Sequence, residues 1–476
     1  MILRKHLCVA FVAIFMGIAA QGIASAQSKE PGDCASSARL PQGATRVYIA
    51  LRNGVDGSGK SMADARDGSN PVAFDTILRC YSEGCSNPAP PQRPVAKTEN
   101  LTVCLGPGTF ATLGNYDFMI GIPHTNPAGF TVGKGWKIHG AGKDKTIIKL
   151  SDYLAIRSQK NPQNLPENTG TNLVFGTNSD QASGVEISDL TIDGSYPELK
   201  SRSRAQGLSA LGLEAIHLRS DLGGNWIHDV NAINLSTEIG AINMRWEAFP
   251  VWIVSVNNTS PEQNHGNLIE NVTMSQPYGT VCTAIAIANA TAEVRNNMVQ
   301  GYQIGYGGWI LGGTVFHDNT AINTEYGFNI DSLANRGVRI ENNRIIHPRK
   351  YGFVVGGDGT YENFKFLNNT VEIDNSGVTA FVFRGNVTGA IVSGNKILAD
   401  NSSGARATAI RNVATNKPNS GNIYQSNEIA SRMAIIFNAP SQKSQNCFFG
   451  NRDERGSPLK DLPDNHNGPC IAADSH

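Results

Sequence analysis

The chain has 476 residues, with 40 basic and 40 acidic side chains and a sequence pI of about 7.1. That balance argues against a nucleic-acid partner, because nucleic-acid binders carry a basic excess. Aromatics make up only 7% and glycines number 50, which suits tight turns and thin layers better than a thick helical core.

Residues 1–26 read as a secretory signal peptide: Arg4 and Lys5 precede the apolar run LCVAFVAIFMGIAA, and Ala24-Ser25-Ala26 supplies a small-residue cleavage site. The run is too short for a membrane span, and no later stretch is long and apolar enough to be one. The mature chain is expected to start near Gln27, to be secreted or periplasmic, to be monomeric and to have no membrane partner. In an oxidising compartment the clustered cysteines read as disulfides. Cys34, Cys80, Cys85 and Cys104 would form two bridges of unassigned pairing, and Cys447 would pair with Cys470. Cys282, alone in TVCTAIAIA, reads as a buried thiol, and no CxxC spacing supports zinc.

Residues 27–98 hold a leading strand in VYIALRNGVDGSG (47–59), a short helix in NPVAFDTILRCY (70–81) and a Pro-rich linker. Phe74, Ile77, Leu78 and Tyr81 fall on one face of that helix by spacing. DGSGKSMADARD (56–67) lacks the oxygen-ligand spacing and closing Glu of a calcium loop. Calcium therefore has no supporting motif, and no other metal or cofactor site is identified. In GWKIHGAGKDKT (135–146) the second Gly is followed by Ala141 where a phosphate loop needs Lys-Ser/Thr, so the stretch reads as a turn between coils.

From residue 99 to 440 one pattern recurs: VEISDLTI, WIHDVNA, LIENVTM, AEVRNNMV, TVFHDNTA, VRIENNRI, FKFLNNTV, AIVSGNKI and NIYQSNEI. One column reads Leu190, Val230, Val272, Asn297, Asn319, Asn343, Asn369, Asn395 and Asn427. From Asn297 onward the intervals are 22, 24, 26, 26 and 32 residues, a period that means a solenoid. Alternation with period two marks strands, and Asn and Gly at their ends tolerate the left-handed backbone of a sharp turn. Stacked coils bring equivalent side chains to about 4.8 Å, where amides hydrogen-bond in a ladder. A leucine-rich repeat would need leucines at fixed offsets and a helix in each repeat; the apolar positions here are mostly Val, Ile and Phe.

With these coils the chain resembles right-handed parallel β-helix proteins of the pectin-lyase-like superfamily. LTVCLGPGTF (101–110), KIHGAGKDKTIIKL (137–150) and GVEISDLTIDG (184–194) resemble that superfamily's first coils. The segments at 47–59 and 70–81 resemble its amino-terminal start, in which the helix plugs the open end of the solenoid. The resemblance spans roughly 45–440 and implies an all-β fold, a right-handed parallel β-helix over 99–440 with a short N-terminal capping helix. Residues 441–476 would form a C-terminal cap or tail closed by a disulfide. For activity the resemblance is unspecific, because the superfamily holds lyases, hydrolases, epimerases and non-catalytic proteins. The paired-Asp, Gly-His-Gly and Arg-Ile-Lys motifs of its hydrolases, the Arg-Pro-x-x-Arg of its pectate lyases and the Asp-Pro-His-Asp of its alginate epimerases are not evident, so no catalytic residue carries over.

A candidate site follows instead from stacking. A second strand per coil aligns as AIHLRS, AINMRW, AIAIAN, QIGYGG, GFNIDS, GFVVGG and AFVFRG. Alternation then points His217/Arg219, Asn243/Arg245, Ala286/Ala288, Gly305/Gly307, Asn329/Asp331, Val354/Gly356 and Val382/Arg384 outward. A floor of small residues between polar ends would leave a depression for a chain ligand. Two early coils carry insertions, SYPELKSRSRAQGLSA (195–210) with Lys200, Arg202 and Arg204, and WEAFPVWIVSVNNTSPEQ (246–263) with Trp246, Phe249 and Trp252. Inserted loops on a rigid scaffold carry function, and basic residues with tryptophans suit an acidic polysaccharide. A rival column, Ser188, His228, Glu270, Arg295, His317 and Glu341, has partly alternating signs and reads as a solvated edge whose rungs pair.

Two functional classes stay open. The first is a secreted enzyme on an acidic polysaccharide, by β-elimination or C5 epimerisation of uronate residues. Arg219 or Arg245 would neutralise the sugar carboxylate, and His217 would take the proton. Asn243, Trp246, Glu247, Asn329, Asp331, Lys200 and Arg202 would bind substrate. The second is a non-catalytic carbohydrate-binding or cell-surface β-helix. A hydrolase is the third option; it would need two facing carboxylates, and Asp221, Glu247, Asp331 and Asp358 give no evident pair.

Overall fold

The computed structural model of the chain describes residues 34, 40, 42–82, 98–114, 129–156, 169–177, 183–219, 222–238, 250–255, 264–277, 283–309, 312–330, 334–357, 360–375, 377–384, 386–399, 407–413, 419–437 and 446–459. The signal peptide, Cys85, Cys282 and Cys470 lie outside them. Among the described residues, almost every strand pairs in parallel with the strand one coil away; in a 23-stranded sheet each coil lends two strands on either side of the asparagine corner, and an 11-stranded sheet forms a second wall. Three short strands, including Thr360–Glu362 and Asn386–Thr388, form a third face. The chain is a right-handed parallel β-helix.

The corner divides its labour between the two residues of each pair. Asn296, Asp318, Asn342 and Asn368 take φ of 54°, 57°, 56° and 56°, the left-handed turn that Asn and Asp tolerate best. The residue after each is a buried asparagine. Its Nδ2 donates to the Oδ1 of the next rung at 2.9–3.0 Å, from Asn297 through Asn319, Asn343, Asn369, Asn395 and Asn427 to Asn451. Each Oδ1 also accepts the backbone N–H of the rung before it, as in Asn343 N to Asn369 Oδ1 at 2.9 Å. The ladder therefore satisfies main chain as well as side chain, and runs one rung further than the repeat predicts.

Helix α1 (Pro71–Ser82) closes the N-terminal end. Asn70 caps it by accepting from Ala73 N, Pro71 fits its first turn, and Phe74, Ile77 and Leu78 are buried. Phe74 meets Phe110 and Phe130 with ring centroids 5.4 and 6.0 Å apart. Beside them Asp75 is buried, accepting from Thr112 Oγ1 and Leu113 N. Burial pushes its carboxyl up to about 7, against those hydrogen bonds. Of the front cysteines, Cys34 bridges to Cys104; Cys80 and Cys447 are disulfide-bonded as well.

The wall that the candidate site occupies consists of strands β1 (Thr169–Gly176), β2 (Ala210–Arg219), β3 (Val251–Val254), β4 (Thr283–Ala288), β5 (Ile304–Gly308), β6 (Tyr326–Ile330), β7 (Tyr351–Val355), β8 (Thr379–Arg384), β9 (Thr408–Val413) and β10 (Ala434–Phe437). Its inner face carries a stack of rings, Tyr306–Phe328–Phe353–Phe381, with centroids 4.9, 5.1 and 4.8 Å apart.

Candidate functional site

The outer face of this wall has one continuous column: His217, Trp252, Ala286, Gly307, Asn329, Val354, Val382 and Arg411 are register partners from β2 to β9. This corrects the alignment read from the sequence. The strand beside AIHLR is VWIV (251–254), not AINMRW, so the neighbour of His217 is Trp252 and that of Arg219 is Val254. Both segments alternate, and strand pairing alone separates them: Ala215 N and Ile216 N both donate to Pro250 O, and the pairing continues from there along β3. Asn243, Arg245, Trp246, Glu247 and Asp331 lie outside the described residues.

The front of the column is also not the open depression that small outward residues suggest. His217 and Arg219 are only 3% and 8% exposed. The His217 ring stacks on Trp252 with centroids 4.2 Å apart. Trp252, Val254, Ala286 and Ala288 form a small apolar cluster separate from the main core, with Trp309 packed against it. Glu214, on the same strand as His217 and Arg219, is buried too.

The insertion at 195–210 is a helix rather than a loop: α2 spans Tyr196–Ala205, opens with Pro in its first turn and buries Tyr196, Leu199 and Ser203. Its cations are occupied. Lys200 and Arg204 both pair with Glu238, and Arg202 pairs with Asp152 at 2.6 Å. Glu238 is held below the usual carboxylate range: its burial opposes this, and Lys200, Tyr196 and Arg204 outweigh it.

The back of the wall differs. The glycine of each Tyr-Gly-Phe interrupts the alternation, because a Cβ on Gly327 would lie 2.5 Å from Ile345 Cδ1 and one on Gly352 would lie 3.2 Å from Val371 Cγ1. Those glycines face the core together with Phe328 and Phe353. Gly305, expected outward, faces Ala321 in the same way. Tyr326 and Tyr351, just before the inward glycines, sit half-buried on the outside with ring centroids 5.2 Å apart at a 52° tilt. Lys350 Nζ lies 5.3 and 5.6 Å from the two ring centroids, and the Arg384 guanidinium lies 5.0 Å from that of Tyr351. Glu325 holds Lys350 at 3.3 Å and accepts from Gln303. Interaction with Tyr326, then with Glu325, raises the Lys350 ammonium above its ordinary range. Asn329, predicted to bind substrate, is half-buried on this same face. The two tyrosines escaped the sequence reading, although YGFNI (326–330) and YGFVV (351–355) repeat 25 residues apart.

The rival column on the long sheet is in register as expected, from Ser188 through His228, Glu270, Arg295 and His317 to Glu341. Its rungs do pair: Arg295 reaches Glu270 and Glu293 at 2.7 Å each, and His317 reaches Glu293 at 3.0 Å. His228 stacks under Trp226 at 3.9 Å and bonds both Asp229 and Glu186. Burial would lower the His228 imidazole, but those two carboxylates outweigh it and raise it to about 9. This row satisfies itself, as an ion-paired edge does. Among the described residues no group of His, Cys, Asp and Glu is arranged to hold a metal ion.

No protein family matches the sequence, and no curated protein does. Solved structures do. The tailspike protein of E. coli bacteriophage HK620 superposes with a TM-score of 0.55 at 12% identity, covering 85% of this chain and 66% of the tailspike. A mutant of that tailspike in complex with a pentasaccharide gives 0.55 at 11% identity, over 85% and 66%. The A-module of an Azotobacter vinelandii mannuronan C-5 epimerase gives 0.45 at 12% identity, over 80% of this chain and 94% of the module. The chain thus spans about two thirds of the tailspike's length. Its fold is the parallel β-helix, as in the tailspike.

Proposed function

We propose that this chain is a polysaccharide-binding β-helix that holds its ligand on the outer face of the wall at β6 to β9. The observation that carries the reading is the Tyr326–Tyr351 pair, two half-exposed rings held in register on successive coils of a rigid scaffold. Tyrosine offers an apolar face for the C–H side of a sugar and a hydroxyl for its polar edge. Lys350 and Arg384 beside the rings favour an acidic polymer. The tailspike crystallised with a pentasaccharide has the same overall fold, which supports sugar binding on such a scaffold. The test is calorimetry of the purified protein against neutral, uronate and sulfated polysaccharides, with Tyr351→Ala as control. Binding that survives Tyr351→Ala unchanged removes this site.

A separate observation favours a second reading, β-elimination or C5 epimerisation of a uronate. Glu214, His217 and Arg219 are ionisable side chains buried on one strand, and such groups gather at catalytic sites. In that reading Arg219 neutralises the carboxylate and His217 takes the proton. Ultraviolet absorbance from unsaturated ends reports elimination, and solvent deuterium entering C5 reports epimerisation. Neither signal from a polymer that binds would end this second reading.

A further inference from the structure

We infer that Lys350 is a positioning residue rather than a reader of ligand charge: pinned by Glu325, its ammonium clips Tyr326 and Tyr351 at the angle they present to a ligand. The inference rests on the binding reading above. It divides the two cations of that site between two tasks and leaves charge recognition to Arg384.

The first support is a contrast between the two sides of the same rungs. Inside the wall, Phe328 and Phe353 are buried and stack with centroids 5.1 Å apart at 24°. Outside it, Tyr326 and Tyr351 keep nearly the same separation, 5.2 Å, but open to 52°. That angle is neither the stacked nor the edge-to-face arrangement that ring pairs prefer. Close packing of the core fixes the inner rings. The outer pair is half-buried, and its row runs from Ile304 through Tyr326 and Tyr351 to Thr379, so no further ring extends it. The Lys350 ammonium lies over both rings, 5.3 Å from the Tyr326 centroid and 5.6 Å from that of Tyr351. One cation attracted to two ring faces holds them open towards itself.

The second support is the way Lys350 is held there. The coils on either side fix its main chain: Lys350 N and Tyr351 N both donate to Glu325 O at 3.0 Å, and Lys350 O accepts from Thr379 N at 3.0 Å. The side chain then reaches back one rung, where Nζ donates to Glu325 Oε1 at 3.3 Å. Gln303 Nε2, one rung earlier still, donates to Glu325 Oε2 at 3.4 Å, so both carboxylate oxygens are engaged. Glu325 and Lys350 each stand immediately before a tyrosine. A side chain crossing from the second to the first therefore spans the gap between the rings. The same contact balances the charge of Lys350, whereas Arg384, 5.0 Å from the Tyr351 ring, has no carboxylate partner among the described residues. Rings ordered before the ligand arrives spare it the entropy of ordering them, which is how a residue that need not touch the ligand raises affinity.

Two measurements test this on three variants, each checked for folding by its melting temperature. Lys350→Met keeps the stem and loses the charge, Lys350→Arg keeps a cation able to pair with Glu325 and to lie on the rings, and Arg384→Gln removes the second cation. The first measurement needs no ligand: nuclear relaxation of isotope-labelled tyrosine rings, with Tyr326 and Tyr351 assigned by substitution to phenylalanine. Both rings are expected to lose order in Lys350→Met and to keep it in Lys350→Arg. Unchanged order in Lys350→Met overturns the clip. The second is calorimetry with a hexauronate at low and high salt. Lys350→Met is expected to bind at least about fivefold more weakly while keeping the salt dependence of the parent, and Lys350→Arg is expected to restore the affinity. Arg384→Gln is expected to flatten the salt dependence. If Lys350→Met flattens it to the same extent, Lys350 reads charge and the inference falls. It falls as well if Lys350→Met loosens the rings yet binds like the parent. A parent that does not bind the hexauronate overturns the acidic-ligand reading above and the task given to Arg384, while ring order still decides the clip.

Discussion

The front and back of one wall obey the same alternation and end up with opposite surfaces. At the front, His217, Arg219, Trp252, Val254, Ala286 and Ala288 point outward and are buried. At the back, Tyr326, Asn329, Tyr351, Arg384 and Arg411 point outward and are half or fully exposed. The coils differ in length. Those near the front take 40 and 42 residues from Leu190 to Val230 to Val272, whereas those from Asn319 to Asn395 take 24 or 26. Extra residues include α2, which packs against β2, and a short coil has little chain left to lie over its own wall. The lesson is that an insertion beside a strand can close a surface as readily as build a groove. The open face is carried mostly by the lean coils, with Arg411 on the 32-residue coil from Asn395 to Asn427.

The comparison is broken most forcefully by Trp252→Ala. If the front is a packed layer, losing the indole removes the His217 stack and most of the small apolar cluster, destabilising the fold by about 3–5 kcal/mol in chemical denaturation. Sugar binding by the folded fraction should be unchanged. A loss of binding with little loss of stability would make the front the site instead. Asn369→Leu comes next, because it gives a back coil the residue type that Leu190 shows at the front. It leaves Asn343 N and Ile340 O without their partner, and each buried orphan costs about 1–3 kcal/mol. The expected net loss is about 2–4 kcal/mol, again with binding retained. Tyr351→Ala reverses the pattern: a change in stability under about 1 kcal/mol and a loss of binding of at least about tenfold, or about 1.4 kcal/mol.

The asparagine corner was legible because each rung meets the same local demand, a left-handed turn followed by a buried amide, and only a narrow set of residues answers it. Asn297 through Asn427 therefore line up in the sequence as they do in space. The wall was half legible. Inward and outward assignments held for Ile216, Ile285, Phe353 and Val382, but register failed between β2 and β4, where AINMRW and VWIV alternate equally well and only long-range pairing chooses, and again at β5, where Gly307 rather than Gly305 partners Ala286 and Asn329. Burial of His217 depends on what lies over the strand, which no strand pattern records. The tyrosines were hidden for a different reason: strict alternation assigns Tyr326 and Phe328 to one side, and the inward glycine between them sends them to opposite sides. Repetition of Tyr-Gly-Phe was the available signal.

The smallest effect separates front from back by pH. On the long sheet, the front coils carry His228 between Glu186 and Asp229, while the equivalent position further back is Glu341 and then Leu367. The His228 imidazole rises from 6.5 to about 9 in the folded chain, so the folded state binds its proton more tightly than the unfolded state. Its stabilisation is then complete below about 6.5 and is lost as pH rises through about 9. The partly solvated site keeps the size modest. Hydrogen exchange, corrected for the intrinsic pH dependence of amide exchange, should show protection falling between pH 7 and 9.5 around Trp226–Ile233 and its rung neighbours. Protection around Thr370–Ile373 should stay level. His228→Gln should remove the difference between the two regions, because glutamine has no proton to lose. Equal loss in both regions, or a loss that persists in His228→Gln, would mean that the front coils are not held by this imidazolium and that the two halves of the solenoid respond to alkali as one body.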